Sequence, residues 1–485
     1  MVKSKVLIIG AAGAVGKRLT QALARAGSHV IASDRHDHLP SSIKNSAKVC
    51  VGGIDVRDEA SVVKLFKDHA DKDTAVWNLA SPLSVETAMS PEVAEAVTIG
   101  GMKNTIAGMR AVGARRICFT DSIGSFGASS PRTNCSARWL IENPDQDPGS
   151  DYGRQKRAVR DIIAEFEVKE GGDPRVAVLP GVLHSEPVWG NGTTEYALDA
   201  MLAASKGETY ACPVDPDVPL PMVFADDLMR GLMELMHAEE ADLKEPQRIY
   251  CIPGLSFTAN ELFHEIRQHV PDFKTTMALD ENMAKFAKLW PDTLSLEEPL
   301  RDLDYEPFVA LPQMVANVLT AHGGRKIGNK AAFRSIDTCE SGYINPPMLE
   351  KYVRKYAVRG RETQGYKNRR QDLVAEVTVE LMKLMDVDKD GKVTMDDFLN
   401  WSRANSVENY MVRRAAACAR CTRMLSALQP PARAAAPPIG ADGRAGRAAR
   451  RACARDRRQN CAARPRSDAA PRLSTLQEDY LSQLE

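Results

Sequence analysis

Residues 6–16 read VLIIGAAGAVG, an apolar run that passes directly into three glycines spaced three residues apart. The run predicts a buried strand, and the segment KRLTQALARAG behind it has the apolar spacing of an amphipathic helix. In such a strand-turn-helix, Gly10 allows a tight turn, Gly13 lets the backbone approach a pyrophosphate, and Gly16 lets the helix pack closely. The stretch therefore predicts a dinucleotide-binding turn, with the helix N-terminus facing the phosphate charge.

The same alternation of short apolar runs and helical patterns continues to about residue 325. HVIASD, AVWNLA, RRICFTDS and RVAVLPG predict further strands, and helical segments separate them. Alternating strands and helices are typical of an α/β fold with a mostly parallel, doubly wound sheet.

Length, composition and charge exclude several classes of protein. The 485 residues suffice for more than one domain, and the net charge of +0 gives no nucleic-acid signature. No apolar run approaches the roughly 18 residues that a membrane span needs. The first strand begins at Val6, which leaves no room for a signal or transit peptide, and ten cysteines form no compact disulfide framework. We expect a cytoplasmic protein, with the mitochondrion kept as the alternative compartment.

Two further positions point to the adenosine half of a dinucleotide. Asp34 closes the second strand, where a carboxylate would accept hydrogen bonds from the ribose hydroxyls and repel a 2′-phosphate. This favours NAD over NADP, although the adjacent Arg35 argues in the other direction. Asp55 and Val56, in GGIDV after the third strand, either flank the adenine or are ordinary turn residues.

The stretch DYGRQKRA supplies candidate catalytic residues. It places Tyr152 and Lys156 four residues apart, hence on one face of a predicted helix. Tyrosine is a poor base at neutral pH, but a nearby ammonium or a positive nicotinamide ring favours the phenolate. Tyr152 could then take a hydroxyl proton while hydride leaves the same carbon. Ser122, at the end of the RRICFTDS strand, could hold the reacting oxygen near Tyr152.

The stretches GAAGAVG, WNLAS, DSIGSFG and YGRQK follow each other in the order of the extended short-chain dehydrogenase/reductase family, which the chain resembles. Over residues 1 to about 318 it resembles more narrowly the short-chain type of L-threonine 3-dehydrogenase, through SIGSFGASSPR, GNGTTEYALDA, LPMVFADDL, SFTANEL and LWPDTLSLEEPLRDLDYEP. The resemblance implies a Rossmann domain over 1–325 with a small C-terminal substrate lobe, mainly 181–325. It also implies a homodimer and NAD-linked oxidation of L-threonine at C3 to 2-amino-3-ketobutyrate.

The resemblance also implies site residues. Ser122, Tyr152 and Lys156 match the catalytic positions, with Tyr152 as proton acceptor and Lys156 lowering its pKa and binding the nicotinamide ribose. Together with the positions argued above, the candidate cofactor-binding residues are Gly10, Gly13, Val15, Gly16, Asp34, Asp55, Val56, Leu79, Ala80, Asn104, Tyr152, Lys156 and Pro180. The candidate substrate-binding residues are Ser84, Ser122, Tyr152, Thr193 and Thr194.

Three positions depart from the family pattern. Val178 stands where an arginine is usual, Thr98 where an asparagine is usual, and Asp121 where a small hydroxyl residue is usual. These differences bear on the substrate and the rate. Two other functions therefore stay open: another enzyme of the extended family, such as a nucleotide-sugar epimerase, and a nonenzymatic scaffold that binds NAD and calcium.

A second kind of motif occurs at 386–397, which reads DVDKDGKVTMDD. An EF-hand loop takes oxygen ligands at positions 1, 3, 5, 7, 9 and 12, with glycine at position 6. Gly391 fills position 6, and the predicted ligands are Asp386, Asp388, Asp390, Lys392 through its carbonyl, Thr394 and Asp397. Glutamate is usual at position 12, and the shorter Asp397 predicts weaker calcium binding or a preference for magnesium.

A partner loop is predicted at 337–348, DTCESGYINPPM. Asp337, Gly342 and Ile344 are in register, whereas Cys339 and Met348 replace oxygen ligands, so this half is predicted to bind no metal. The two loops define an all-α EF-hand module over 326–405, which either regulates the enzyme through calcium or is a passive or dimerising appendage. Residues 406–485 are rich in Ala, Arg and Pro and predict a disordered tail.

Overall fold

The computed structural model describes residues 4–186, 192–323, 333, 336–337, 341–356, 378–386 and 388–402. The predicted tail at 406–485 lies outside these residues. None of the helices in the described part of the chain combines the length and the apolar composition needed to cross a bilayer.

The central sheet has seven strands and is parallel throughout. Its strands are β1 (Lys5–Ile9), β2 (His29–Ser33), β3 (Val49–Val51), β4 (Thr74–Asn78), β5 (Arg116–Ser122), β6 (Asp173–Leu179) and β10 (Ile249–Cys251). Their order is β10-β6-β5-β4-β1-β2-β3, so the chain starts in the middle and winds outward in both directions. This confirms the predicted doubly wound Rossmann sheet.

Fourteen helices belong to the part that ends at residue 323. They are α1 (Ala14–Arg25), α2 (Ser41–Lys44), α3 (Glu59–His69), α4 (Ser84–Met89), α5 (Pro91–Glu95), α6 (Gly101–Val112), α7 (Arg138–Glu142), α8 (Asp151–Glu170), α9 (Tyr196–Lys206), α10 (Ala225–His237), α11 (Ala259–His269), α12 (Glu281–Leu289), α13 (Glu297–Leu303) and α14 (Leu311–Gly323). A π-helical turn (Ala96–Gly100) precedes α6, and short 3₁₀ turns occupy Ile123–Ser125, Thr193–Glu195, Glu240–Asp242 and Pro246–Arg248.

Helices cover both faces of the sheet, which explains why its strands are apolar without alternation. On β1, Leu7 and Ile9 enter the hydrophobic core under α3, α6 and α8. Val6 and Ile8 point to the other face and pack in the core under α1 and α10. The sheet is thereby fixed between two cores, with the carboxyl ends of its strands left to carry a site.

After β6 the chain builds smaller sheets. β7 (Gly181–Leu183), β9 (Leu220–Phe224) and β11 (Leu255–Phe257) form one of them, and β8 (Tyr210–Cys212) pairs with β12 (Thr275–Met277). Helices α9, α11 and α14 pack around them. These elements lie within residues 181–325, for which a small substrate lobe was predicted.

The last described region has its own small core. It contains β13 (Tyr343–Ile344), α15 (Pro346–Tyr356), helical residues 378–385, β14 (Val393–Thr394) and α16 (Met395–Ser402). β13 and β14 pair antiparallel, with Ile344 opposite Val393, as expected for two joined EF-hand loops. Both side chains are buried in one cluster with Phe333, Ile336, Leu349, Val353, Leu381, Met382, Met385 and Phe398.

Candidate active site and metal loop

The glycine turn after β1 is too crowded for side chains at two positions. Gly10 has φ +82°, and a Cβ there would lie 2.9 Å from the amide nitrogen of Ala80. A Cβ on Gly16 would lie 2.2 Å from the carbonyl oxygen of Gly10, whereas one on Gly13 would come no closer than 3.4 Å to it. Leu79 also donates its N–H to Ile9 (2.9 Å), so the predicted positions at the ends of β1 and β4 lie together.

Asp34 lies against this turn from the end of β2. Its Oδ2 accepts a hydrogen bond from the N–H of Ala12 (2.8 Å) and its Oδ1 accepts one from the N–H of His36 (3.2 Å). The residue is buried, yet a carboxylate oxygen can accept more than one hydrogen bond. Asp34 can therefore hold the turn and still offer acceptors to a ribose.

Asp55 and Val56, the two candidate cofactor-binding residues after β3, differ in their exposure to solvent. Asp55 is partly exposed and receives several hydrogen bonds from Arg57, including 2.7 Å from Nη2, and this contact lowers the pKa of the carboxyl. Val56 is buried, and its carbonyl accepts a hydrogen bond from the Asn104 amide (2.8 Å). Gly101 makes room for Val56, because a Cβ there would lie 2.8 Å from its methyl group. Asn104 thus supports the loop through Val56.

Ser122 and Tyr152 meet at the carboxyl end of β5. The Ser122 hydroxyl accepts the N–H of Gly124 (3.1 Å) and hydrogen-bonds the Tyr152 side chain. A Cβ on Gly124 would lie 3.0 Å from Cδ1 of Tyr152, so glycine lets the ring approach the turn. Burial raises the pKa of Tyr152 to about 12, the charge of Asp121 acts in the same direction, and the Ser122 hydrogen bond opposes it.

Lys156 lies on the same face of α8. Its ammonium donates to the carbonyl of Thr120 (3.0 Å) and lies 5.3 Å from the centre of the Tyr152 ring and 4.9 Å from that of Phe119. Burial lowers the pKa of Lys156 to about 8. The ammonium thus lies beside the Tyr152 ring, and its effect on the Tyr152 pKa in the presence of the positive nicotinamide stays a prediction.

Arg160, which the sequence alone did not single out, lies beside the candidate catalytic residues. It forms a buried ion pair with Asp121, whose Oδ1 also accepts the N–H of Ser122 (2.7 Å). Asp121 is opposite Val178 in the register of β5 and β6. The two departures from the family pattern are therefore neighbours on adjacent strands, and Asp121 is paired with a guanidinium from α8. The available signal was the four-residue spacing from Lys156 to Arg160.

Two candidate substrate-binding residues, Thr193 and Thr194, lie in the turn that follows β7. Thr194 packs against Gly181, where a Cβ would lie 2.5 Å from the Cβ of Thr194. Thr193 is buried, and within the described part of the chain its hydroxyl has no hydrogen-bond partner. Pro180 is buried between β6 and β7, and Ser84 is the partly buried first residue of α4. An unpartnered buried hydroxyl at Thr193 suits a polar ligand.

Two sequence stretches that carried the narrower resemblance meet in space. Arg132, from SIGSFGASSPR, donates to the carbonyls of Lys288 (2.9 Å) and Trp290 and pairs with the carboxylate of Asp292. The neighbouring Leu289 packs on Gly149, two residues before α8 begins. Arg132 thereby fastens a segment of the lobe next to the helix that carries Tyr152.

The predicted EF-hand loop at 386–397 brings three of its predicted ligands together. Carboxylate oxygens of Asp386, Asp388 and Asp390 lie within 4.8 Å of one another. Gly391 has φ +83° and donates its N–H to Oδ2 of Asp386 (3.0 Å). Oδ1 of Asp386 is buried without a hydrogen-bond partner in the described residues. Clustered carboxylates with an unpartnered buried oxygen fit a hard divalent cation.

The remaining candidates in this loop, Lys392, Thr394 and Asp397, make side-chain contacts of their own. Oδ2 of Asp397 accepts hydrogen bonds from the N–H (3.0 Å) and hydroxyl (2.6 Å) of Thr394, which closes the start of α16. Lys392 extends its ammonium over the Tyr343 ring, 4.7 Å from its centre, and leaves only its carbonyl for an ion. Position 12 is therefore bound to Thr394 in this structure, and the weaker calcium binding expected of Asp397 stays a prediction.

The partner loop is closed by its own hydrogen bonds. Asp337 accepts the N–H groups of Ser341 (2.9 Å) and Gly342 (2.8 Å), and Gly342 has φ +80°. Met348 packs on the core of the module. The position of Cys339 lies outside the described residues. These contacts agree with a loop that keeps the EF-hand shape, and its lack of a metal stays a prediction.

Comparison with known proteins identifies relatives of both regions. The sequence profile of the NAD dependent epimerase/dehydratase family matches residues 6–250, and that of an EF-hand domain pair matches 328–403. The chain is 28% identical over 328 residues to "L-threonine 3-dehydrogenase, mitochondrial" of Bos taurus, covering 66% of this chain and 83% of the relative.

Solved structures of L-threonine dehydrogenases are also similar to this chain. A partial consensus L-threonine 3-dehydrogenase is 30% identical with a TM-score of 0.57, over 65% of this chain and 98% of that one. The holo form of a GalE-like L-threonine dehydrogenase from Cupriavidus necator is 28% identical with a TM-score of 0.58, over 65% and 99%. The chain belongs to the NAD dependent epimerase/dehydratase family and carries an EF-hand domain pair after its Rossmann domain.

Proposed function

We propose that the protein is an NAD-dependent dehydrogenase that oxidises L-threonine at C3 to 2-amino-3-ketobutyrate. The observation that carries the proposal is the joining of Ser122, Tyr152 and Lys156 at the carboxyl end of β5. The similarity to L-threonine 3-dehydrogenases supports the choice of substrate. NAD, when bound, supplies the hydride acceptor.

The residues of the chain have distinct roles in this proposal. The Ser122 hydroxyl holds the C3 oxygen, and Tyr152 takes the proton from that oxygen as the carbonyl forms. The oxidised nicotinamide is positive, and its charge would counter the burial that raises the pKa of Tyr152. The hydroxyls of Ser84, Thr193 and Thr194 would grip the carboxylate and ammonium of the substrate without adding net charge.

The cofactor would lie across the turn after β1. The pyrophosphate would approach Gly13, where no side chain intervenes, and the N-terminus of α1 with Val15 faces its charge. Asp34 would bind the adenosine ribose and disfavour a 2′-phosphate. The engagement of Asp55 by Arg57 leaves the adenine to contacts with the loop of Val56.

We further propose that one divalent ion, Ca²⁺ or Mg²⁺, binds at 386–397 and modulates the enzyme. The three grouped aspartates and the unpartnered oxygen of Asp386 support the ion. Modulation requires that the ion favour one of two arrangements that differ in activity. The alternative is a structural or dimerising module, which would bind the ion without an effect on turnover.

The test is NADH formation by the full chain with NAD and L-threonine, first with a chelator and then across a calcium titration. Turnover that follows calcium, and loses that response in Asp388→Asn, supports both proposals. Turnover that is indifferent to calcium keeps the dehydrogenase and excludes the regulation. Tyr152→Phe is the control, because it should bind NADH but lose turnover by about a hundredfold or more.

Absence of turnover would redirect the assignment. Nucleotide sugars are then the next substrates to assay, because the epimerase alternative uses the same catalytic residues. A wild type that binds NADH but converts neither class would indicate the scaffold. The homodimer and the cytoplasmic location stay predictions, to be checked by light scattering of the purified chain and by microscopy of the tagged full chain.

A further inference from the structure

A buried ion pair lies next to the catalytic residues. Asp121 immediately precedes Ser122 on β5, and Arg160 lies one helical turn after Lys156 on α8. The side chains of Asp121 and Arg160 are 0% and 3% exposed. Burying two charges is unfavourable unless they are paired and further hydrogen bonds satisfy them, so this pair needs a reason beyond packing.

The Asp121 carboxylate joins the catalytic turn to the catalytic helix. Its Oδ1 accepts the N–H of Ser122 (2.7 Å) and the hydroxyl of Ser125 (2.5 Å), while its Oδ2 pairs with Arg160. The turn between these serines contains Gly124, on which the Tyr152 ring packs. One side chain thus fixes both ends of the turn relative to α8.

The same carboxylate also acts through its charge. It adds to the rise that burial causes in the pKa of Tyr152 and opposes the fall that burial causes in the pKa of Lys156, because a negative charge disfavours the phenolate and favours the ammonium. β6 presents the apolar Val178 to it. The titratable or charged side chains that face it are Tyr152, Lys156 and Arg160 on α8 and Cys251 on β10.

We propose that Asp121 and Arg160 are positioning residues: the pair clamps the turn at 122–125 against α8, and its carboxylate sets the pH range in which Tyr152 accepts a proton. The inference rests on the proposed catalytic role of Tyr152.

The test is a titration of Tyr152 in the NAD complex of the full chain. The tyrosinate absorbance is recorded between neutral pH and about pH 12, and the signal of a matched Tyr152→Phe chain is subtracted. Asp121→Asn should move the midpoint down by about one pH unit, because the repelling charge is gone. It should also lower kcat by about tenfold or more, with little change in the KM for NAD.

Two further variants separate charge from structure. Ser125→Ala removes one hydrogen bond to Asp121 but no charge, so it should lower kcat and leave the midpoint unchanged. Asp121→Ser with Arg160→Gln removes both charges and avoids an unpaired buried guanidinium, which guards against loss of folding in the single variant. This double variant should keep the lowered midpoint.

A wild-type midpoint in both Asp121 variants would overturn the role of the charge, and a wild-type kcat in both would overturn the clamp. The titration needs no turnover. A lowered midpoint in a chain that does not oxidise L-threonine therefore counts against the proposed substrate and leaves this inference standing.

Discussion

The carbonyl oxygen of Gly10 lies 2.2 Å from the position that a Cβ of Gly16 would occupy, whereas it lies 3.4 Å from that of a Cβ on Gly13. Gly13 also has φ −64°, which any residue can adopt. Gly16→Ala should therefore disrupt the turn and destabilise the domain by about 1–3 kcal/mol. Gly13→Ala should leave the thermal melting temperature unchanged and weaken NADH binding, because its methyl group lies where the pyrophosphate approaches. Melting curves and NADH fluorescence distinguish the two variants. Equal destabilisation by both would contradict the separate roles of Gly16 in packing and Gly13 in pyrophosphate binding.

Asp34 is expected to select between the two nicotinamide cofactors. Asp34→Asn keeps an oxygen for the N–H of Ala12 but removes the charge that would repel a 2′-phosphate. The ratio of Kd values for NADPH and NADH should fall by about tenfold, or about 1.4 kcal/mol. Fluorescence titration of both reduced cofactors measures this without a substrate. The control is Asp73→Asn, an exposed aspartate before β4. An unchanged ratio would reduce Asp34 to a structural support of the turn.

Lys156 makes the stability of the Rossmann domain depend on pH. Its folded pKa of about 8 lies below the ordinary 10.5, so the folded state bears the full desolvation cost below pH 8. As the pH rises from about 8 toward 10.5, the folded form releases the proton and the cost disappears. Lys156→Met should accordingly raise the melting temperature at neutral pH, and the gain should shrink over this range.

The control for this prediction is Lys169→Met, which removes an exposed lysine from the same helix. Its effect on the melting temperature should be small and should not follow the same pH window. A gain for Lys156→Met that stayed constant up to pH 10.5 would show that packing, and not the charge of the ammonium, determines the difference.

Local patterns of sequence predicted the parts of this molecule that local chemistry determines. The apolar run at Val6 to Ile9 indicated a buried strand, and the two loop patterns indicated an EF-hand pair, whose loops meet through Ile344 and Val393. The four-residue spacing of Tyr152 and Lys156 indicated a shared helix face. In each case the relevant residues lie within one element or one repeated motif.

The features that the sequence did not predict depend on contacts between residues far apart in the chain or on burial. Arg160 meets Asp121 from another element, and Arg132 reaches Asp292 across 160 positions of sequence. Periodicity within a segment carries no information on such partners. The balance that sets the Tyr152 pKa likewise depends on burial and on the neighbouring Asp121, which the spacing of Tyr152 and Lys156 alone does not reveal.

Asp397 is expected to limit the affinity of the calcium loop. Its carboxylate is bound to Thr394 and stands apart from the three grouped aspartates. Asp397→Glu adds one methylene, which lets the carboxylate reach the ion with two oxygens and should tighten Ca²⁺ binding by about tenfold. Calorimetry of the full chain measures this, with Asp396→Glu as the matched control, because Asp396 is exposed and holds no ligand position. Weaker binding in Asp397→Glu would mean that the contact with Thr394 shapes the loop more than the reach of position 12 does.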